Sequence, residues 1–246
     1  VLASGAVVRQ VLLSAGAEES QIMAKLQPIA TDMHALGNPW ISYSVYLNNS
    51  FLPGLLQLMI LLVTVFSIGS EMKRATSREW LRTADDSIII AITGKLIPQT
   101  IIFFSMGLLY LSLLYGYLHF PMHNSIWHMI FAMFLLVVAS QSFAVIIMCF
   151  APSLRIGLSV GGLVGVLSLS IAGFSFPVPA MYLPFQAISY VLPVRHYFLI
   201  YVDQALNGIP LYYSRVHYVA LILFAVASTP LLPRLKKALM RQVYVP

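Results

Sequence analysis

The chain of 246 residues is 59% hydrophobic and only 9% charged, with a mean hydropathy of +0.86, where a soluble domain would be about 45–50% apolar and about 25% charged. That balance excludes a soluble globular protein and indicates an integral membrane protein. The net charge of +6 would suit a nucleic-acid partner, but the basic residues are scattered in pairs between apolar runs, so they read as topology determinants and no nucleic acid is expected.

The chain opens "VLASGAVVRQ", with neither an initiator Met nor the pattern of a signal peptide. An upstream part is therefore expected to be missing. The first 50 residues look soluble, with weak helical periodicity in "VVRQVLL" and "IMAKLQ" and a loop signal, "GNP", at 37–39. A bilayer core of about 30 Å needs about 20 apolar residues in a helix. Five stretches meet or approach that length: 52–70, 96–118, 126–150, 156–174 and 216–232. The apolar run beginning at Ile88 is too long for one perpendicular span and holds Lys95 and Pro98. Residues 88–92 are therefore expected to form a lead-in helix on the membrane face.

Residues 174–200 are apolar as well, but they contain Pro177, Pro179, Pro184 and Pro193. Each proline removes a donor and clashes with the preceding turn, so about 175–200 is expected to form short re-entrant or interfacial helices. Basic residues test that reading. With five spans, one side receives Lys73, Arg74, Arg78, Arg82, Lys95, Arg155, Arg234, Lys236, Lys237 and Arg241, and the other only Arg9, Lys25, Arg195 and Arg215. The positive-inside rule makes the first side cytoplasmic. The N-terminal segment is then extracytoplasmic and the C-terminus cytoplasmic.

Polar features within the spans are few. Gly157, Gly161 and Gly165 recur at four-residue spacing, which permits close helix packing within the chain or a dimer contact. Gln141, near mid-membrane, either ties helices together or faces a pathway. No Asp, Glu, Lys or Arg lies deep in any of these five stretches, which argues against a proton relay. His119, His123 and His128 read as interfacial, not as a metal site. Arg195, His196 and Asp203 read as capping or pairing groups at the outer surface. "ITGKL" at 92–96 lacks the first glycine and the Ser or Thr of a phosphate loop. No catalytic residue, bound cofactor or metal is expected, and any ATP must bind another polypeptide. Cys149, the single cysteine, reads as packing.

Against this background, "SIGSEMKRATSREWLRTADD" at 67–86 is an island of charge. Thr76 followed by Glu79 fits a capping box. Trp80, Leu81, Ala84 and Ile88 fall on one helical face, which predicts a short amphipathic helix over about 76–86 on the cytoplasmic membrane face, with Trp80 at headgroup level. Attraction to lipid alone would favour Lys and Arg without Glu79, Asp85 and Asp86, so the mixed charge points to a protein partner. The alternative is a solvated loop.

The stretch "NPWISYSVYLNNSFLPGLLQLMILLVTVFSIGSEMKRATSREW" resembles the corresponding region of ABC-2 type transporter permeases. Asn38, Pro39, Pro53, Gly54, Glu71, Lys73, Arg74, Thr76 and Glu79 match, while Ala75 stands where that family usually has glycine. "GKLIPQ" and the proline-rich segment before the last span extend the likeness over about 38–246. The resemblance implies an all-α polytopic membrane protein in a bacterial inner membrane, with residues 1–50 ending an extracytoplasmic domain and 51–246 forming the transmembrane domain. It implies a separate cytoplasmic ABC ATPase that binds ATP and Mg, a second permease copy or paralogue, surrounding lipid, and a periplasmic adaptor as a further candidate partner. Glu71, Lys73, Arg74, Thr76, Arg78, Glu79, Trp80 and Arg82 would couple to the ATPase. Gln141 and the four prolines would serve a pathway or gate. The function implied is the permease subunit of an exporter. A non-transporting sensor or assembly platform and a membrane-embedded enzyme are the alternatives.

Overall fold

Backbone amides in lipid must be paired within the chain, which leaves helices as the solution for long apolar runs. In the computed structural model every described element is helical. The structure describes residues 42–241, together with Gln10, Val11, Leu13, Ser14 and Gly16. The chain divides into two units, Val1–Ala35 and Leu36–Pro246. In the first, Gln10, Val11, Leu13 and Ser14 are helical, and the Ser14 hydroxyl donates to the Val11 carbonyl at 2.7 Å. The extracytoplasmic-domain reading, with Arg9, Lys25, Asn38 and Pro39, falls on residues before Ser42 that lie outside the described ones.

The second unit begins with α1 (Tyr43–Lys73), followed by the short α2 (Ser77–Arg82), α3 (Ile88–Leu111), α4 (Ile126–Phe150) and α5 (Leu154–Ile171). Two short helices follow, α6 (Leu183–Tyr190) and α7 (Pro193–Tyr201), then α8 (Leu211–Val226) and α9 (Leu232–Arg241). Both α3 and α7 end in π-helical turns, Ser112–Tyr117 and Val202–Leu206. Among the described residues, five helical stretches are long and apolar enough to cross a membrane.

Several boundaries differ from those read in the sequence. Residues 88–92 are not a separate interfacial helix. They form the first turns of α3, capped by Ser87 accepting from the Ile90 amide, and α3 runs through Pro98 without a break. The fourth span stops at Ile171, before Gly173 takes φ +105. The last span starts earlier than 216 because Pro210 sets the entry to α8, and Thr229–Leu231 interrupts it before the amphipathic α9.

The 174–200 segment forms short helices and none of the five long apolar ones. Phe174, Leu192 and Val194 are buried in one cluster with Leu111, Met129 and Ala172, while Met72, Leu81, Cys149 and Leu235 belong to a second. Its prolines sit at helix starts, with Pro184 in the first turn of α6 and Pro193 opening α7, where a missing N–H costs no internal bond. The central packing is an antiparallel crossing of α1 and α5. A Cβ on Gly165 would fall 3.2 Å from Leu58 Cα, and one on Gly69 would fall 3.0 Å from Leu154 Cα. Gly157 meets Val65 of α1 and Met148 of α4. The glycine stripe therefore faces α1 of the same chain, so it is not available as the surface of a dimer contact.

Candidate functional site

The charged island is organised from Glu71 outward. Glu71 lies in the last turn of α1, and its two carboxylate oxygens serve different elements. Lys95 on α3 holds Oε1 at 2.5 Å, and the Thr76 hydroxyl donates to Oε2. Lys95 Nζ also lies 4.4 Å from the centre of the Trp80 ring, a cation–π contact that brings α2 into the same cluster. Trp80 thus turns towards Lys95 and the protein.

Because the Thr76 hydroxyl is engaged by Glu71, the capping box with Glu79 does not form. Thr76 makes no side-chain cap to α2. The helix is also shorter than 76–86. It ends at Arg82 because Asp85 and Asp86 take φ of +50 and +54, a left-handed conformation that Asp tolerates better than most residues. The Asp86 amide then returns to the Leu81 carbonyl at 3.0 Å. Leu81, Ala84 and Ile88 therefore do not lie on one helical face, yet all three are buried, in one protein cluster with Leu235 and Leu239. Ala75 adopts φ +58, the region where glycine is the default. The turn that the family resemblance associates with glycine is kept here with an alanine in it.

The final carbonyls of a helix have no partner within it, and α2 supplies partners for those of α9. The buried Ser77 hydroxyl donates to the Leu239 carbonyl at 2.9 Å. The Arg78 guanidinium donates to the Met240 carbonyl from Nε at 3.2 Å and Nη2 at 3.0 Å. In return, Lys236 Nζ donates to the Asp86 carbonyl at 2.5 Å. So α2 is tied to α1, α3 and α9, while Lys73, Arg74, Arg78, Glu79, Arg82, Asp85 and Asp86 remain exposed.

At the opposite end, α7 is buried and α6 exposed. Gln57 of α1 is buried; its Oε1 accepts from the Val194 amide at 2.8 Å and its Nε2 donates to Ser168 Oγ at 3.0 Å. It therefore joins α1 to α5 and to the first turn of α7. His196 Nε2 lies 3.0 Å from the Tyr190 carbonyl, and its Nδ1 lies 3.4 Å from His217 Nδ1. A carbonyl only accepts, so Nε2 carries the proton, and neutral His196 accepts at Nδ1 from His217. Burial holds the His196 pKa below its ordinary value, which favours that neutral form. Arg195, His196 and Asp203 are not a surface group. Arg195 and His196 are buried, and Asp203 accepts from Ser214 at 2.9 Å.

Gln141 is buried; its Oε1 accepts from Thr100 at 2.8 Å and its Nε2 reaches the Leu96 carbonyl at 3.4 Å, so it ties α4 to α3. Pro177, Pro179 and Pro184 are exposed, whereas Pro193 is buried. His123 Nδ1 pairs with the Ala205 carbonyl at 2.9 Å. Among the described residues, no three His, Cys, Asp or Glu side chains gather as a metal site. Cys149 is buried, with Sγ 3.5 Å from the Leu231 carbonyl.

The sequence reading missed Gln57, the Glu71–Lys95 pair and the Ser77 cap. An amide within an apolar run needs a partner, so Gln57 in "LPGLLQLMILL" carried a signal of its own. Nothing in the sequence paired Ser77 with residue 239. No curated protein and no solved structure matches this chain. The family model described as ABC-2 family transporter protein matches residues 2–232, and with that match the chain belongs to the ABC-2 transporter family as a membrane permease component whose family works with an ABC ATPase.

Proposed function

We propose that this permease is the membrane half of an ABC exporter, driven by ATP that a cytoplasmic ATPase subunit binds with Mg and hydrolyses. One observation carries the reading: α2 is held to α1 through Thr76, to α3 through Trp80 and to α9 through Ser77 and Arg78, yet its outer side is left charged and exposed. The ATPase docks on that side. The positive-inside rule supports placing it in the cytoplasm, in a bacterial inner membrane, with the N-terminal segment outside and the C-terminus inside. Two permease copies, or a copy and a paralogue, form the transporter, and an adaptor joins it outside. Displacement of α2 moves the first, second and last spans together, a rigid-body switch. The α6–α7 segment acts as the gate at the far end.

The test is charge reversal at Glu79→Lys with Arg82→Glu. Both residues are exposed, whereas Arg78 is unsuitable because its reversal would also uncap α9. The double variant should fold and lose the co-purifying ATPase; a retained ATPase rejects docking at α2. ATP-driven flux in vesicles holding both subunits separates export from a sensor or assembly platform, which would bind the ATPase without moving cargo. For the gate, cysteines at the exposed Ala180 and Ala187 should label differently during ATP turnover, and identical labelling removes that role.

A further inference from the structure

Arg195 is a buried cation whose partners are the Ala172 carbonyl and the Tyr190 side chain, with no carboxylate against it among the described residues. It is 8% exposed, and its Nε has no hydrogen-bond partner. Nη1 donates to the Ala172 carbonyl at 3.1 Å, and the guanidinium carbon lies 4.6 Å from the centre of the Tyr190 ring. Among the described residues no carboxylate forms an ion pair with it. His196 beside it is no anion, and Asp203 is engaged by Ser214. Burial lowers the guanidinium pKa from its ordinary value, as expected of a charge short of solvation. An unpaired buried charge is costly and is ordinarily held by an opposite one.

The surroundings are shaped to this guanidinium. A Cβ on Gly173 would lie 2.8 Å from Arg195 Nη1, and that glycine also takes φ +105, so no other residue fits there without strain. The cover is light. Helix α6 buries Ser189 alone among its residues, and Tyr190, at its end, is exposed. The same helix turns Leu183, Phe185 and Ile188 outward. A cation under an exposed aromatic ring, beside an outward apolar surface, suits a ligand with one anionic and one apolar part.

We infer that Arg195 is a binding site for the oxyanion of an amphiphile, a phosphate or carboxylate reached when Tyr190 lifts, with the ligand's apolar part along the outward side of α6. The unoccupied Nε edge of the planar guanidinium offers the fork geometry that oxyanions accept. This site does not depend on the ATPase contact at α2, so either reading can fail alone.

The experiment compares the full permease in nanodiscs of neutral phosphatidylcholine with discs containing phosphatidylglycerol, by thermal midpoint. Wild type should gain about 2–4 °C in the acidic discs, the scale of one favourable charged contact. Arg195→Gln should lose that part of the gain, and Arg195→Lys should keep some of it, since charge remains but the fork does not. Cationic residues elsewhere also meet acidic lipid, so the difference between wild type and Arg195→Gln is what counts; equal gains in the two overturn the site. Inorganic phosphate added to neutral discs separates the sources. An Arg195-dependent shift there overturns the amphiphile, and its absence alongside the lipid effect supports it. Should Arg195→Gln fail to fold, Tyr190→Leu removes the cover and should enlarge the gain in acidic discs; an unchanged gain overturns the proposal.

Discussion

Gly157, Gly161 and Gly165 look equivalent in the sequence, but the structure separates them sharply. A Cβ at Gly165 would sit 2.3 Å from Leu58 Cδ1, 3.1 Å from its Cβ and 3.2 Å from its Cα. The methyl can rotate away, whereas the Cα moves only with helix α1. At Gly161 the nearest atom is Val65 Cγ2 at 3.7 Å, an ordinary contact. Overpacking costs about 1–3 kcal/mol, and replacing a helical glycine by alanine returns about 1 kcal/mol. Taking about 2 kcal/mol for the overpacking, Gly165→Ala should therefore destabilise by about 1 kcal/mol, whereas Gly161→Ala, which meets no clash, should stabilise by about 1 kcal/mol. At roughly 2–4 °C per kcal/mol for a chain of this size, thermal midpoints of the purified permease should separate by several degrees. Gly69→Ala, whose Cβ would lie 3.0 Å from Leu154 Cα, should behave like Gly165→Ala. Equal midpoints for Gly161→Ala and Gly165→Ala would refute the register of the α1–α5 crossing.

Three further outcomes follow from the same structure. Ala75→Gly relieves a left-handed alanine at an exposed position; about 1–2 kcal/mol of strain less about 0.4–1 kcal/mol of added unfolded-chain entropy predicts a small rise in midpoint, and a fall would contradict the turn. A double-mutant cycle of Glu71→Gln and Lys95→Met should return a coupling of about 1 kcal/mol, since the pair is mostly but not fully buried; zero coupling would remove the hub. His196 has a pKa lowered chiefly by burial, so between that value and about 6.5 the unfolded chain binds more protons than the native one. Stability is then present above about pH 6.5 and lost as pH falls through the lowered value. His196→Gln should lose less on acidification than wild type, and parallel pH profiles would exclude the buried imidazole as the cause.

Long, strongly apolar segments were legible because lipid leaves the backbone few options. Span α4 carries the bounds read from the sequence, Ile126–Phe150, and the prolines of 174–200 pointed correctly to short helices. What escaped the sequence was governed by side-chain partners that helical periodicity does not specify. Thr76 fits a capping box on local pattern, but Glu71, five residues earlier, takes its hydroxyl. Residues 88–92 read as a separate helix because Lys95 and Pro98 follow them, yet Lys95 has a carboxylate to pair with and α3 continues through the proline. Arg195 and His196 read as surface groups because charge avoids apolar interiors; their burial rests on Ala172 and Tyr190, which periodicity does not reveal.

The two ends of the unit meet in α1. At its last turn Glu71 holds Thr76 and Lys95, so α1 carries the load of the charged island. Towards its other end, Gln57 holds the Val194 amide at the start of α7. Between them α1 is pressed backbone to side chain on α5 at Gly69 and Gly165, close enough that neither helix can slide without a clash. A close-packed pair of this kind transmits displacement as a body. Helix α6 packs against α5 and α7. Its end is also attached through the Tyr190 carbonyl to His196 and through the Tyr190 ring to Arg195, with Ser189 as its buried residue. The charged island and α7 are thus joined through α1, while α6, exposed along most of its length, covers Arg195 with the Tyr190 ring.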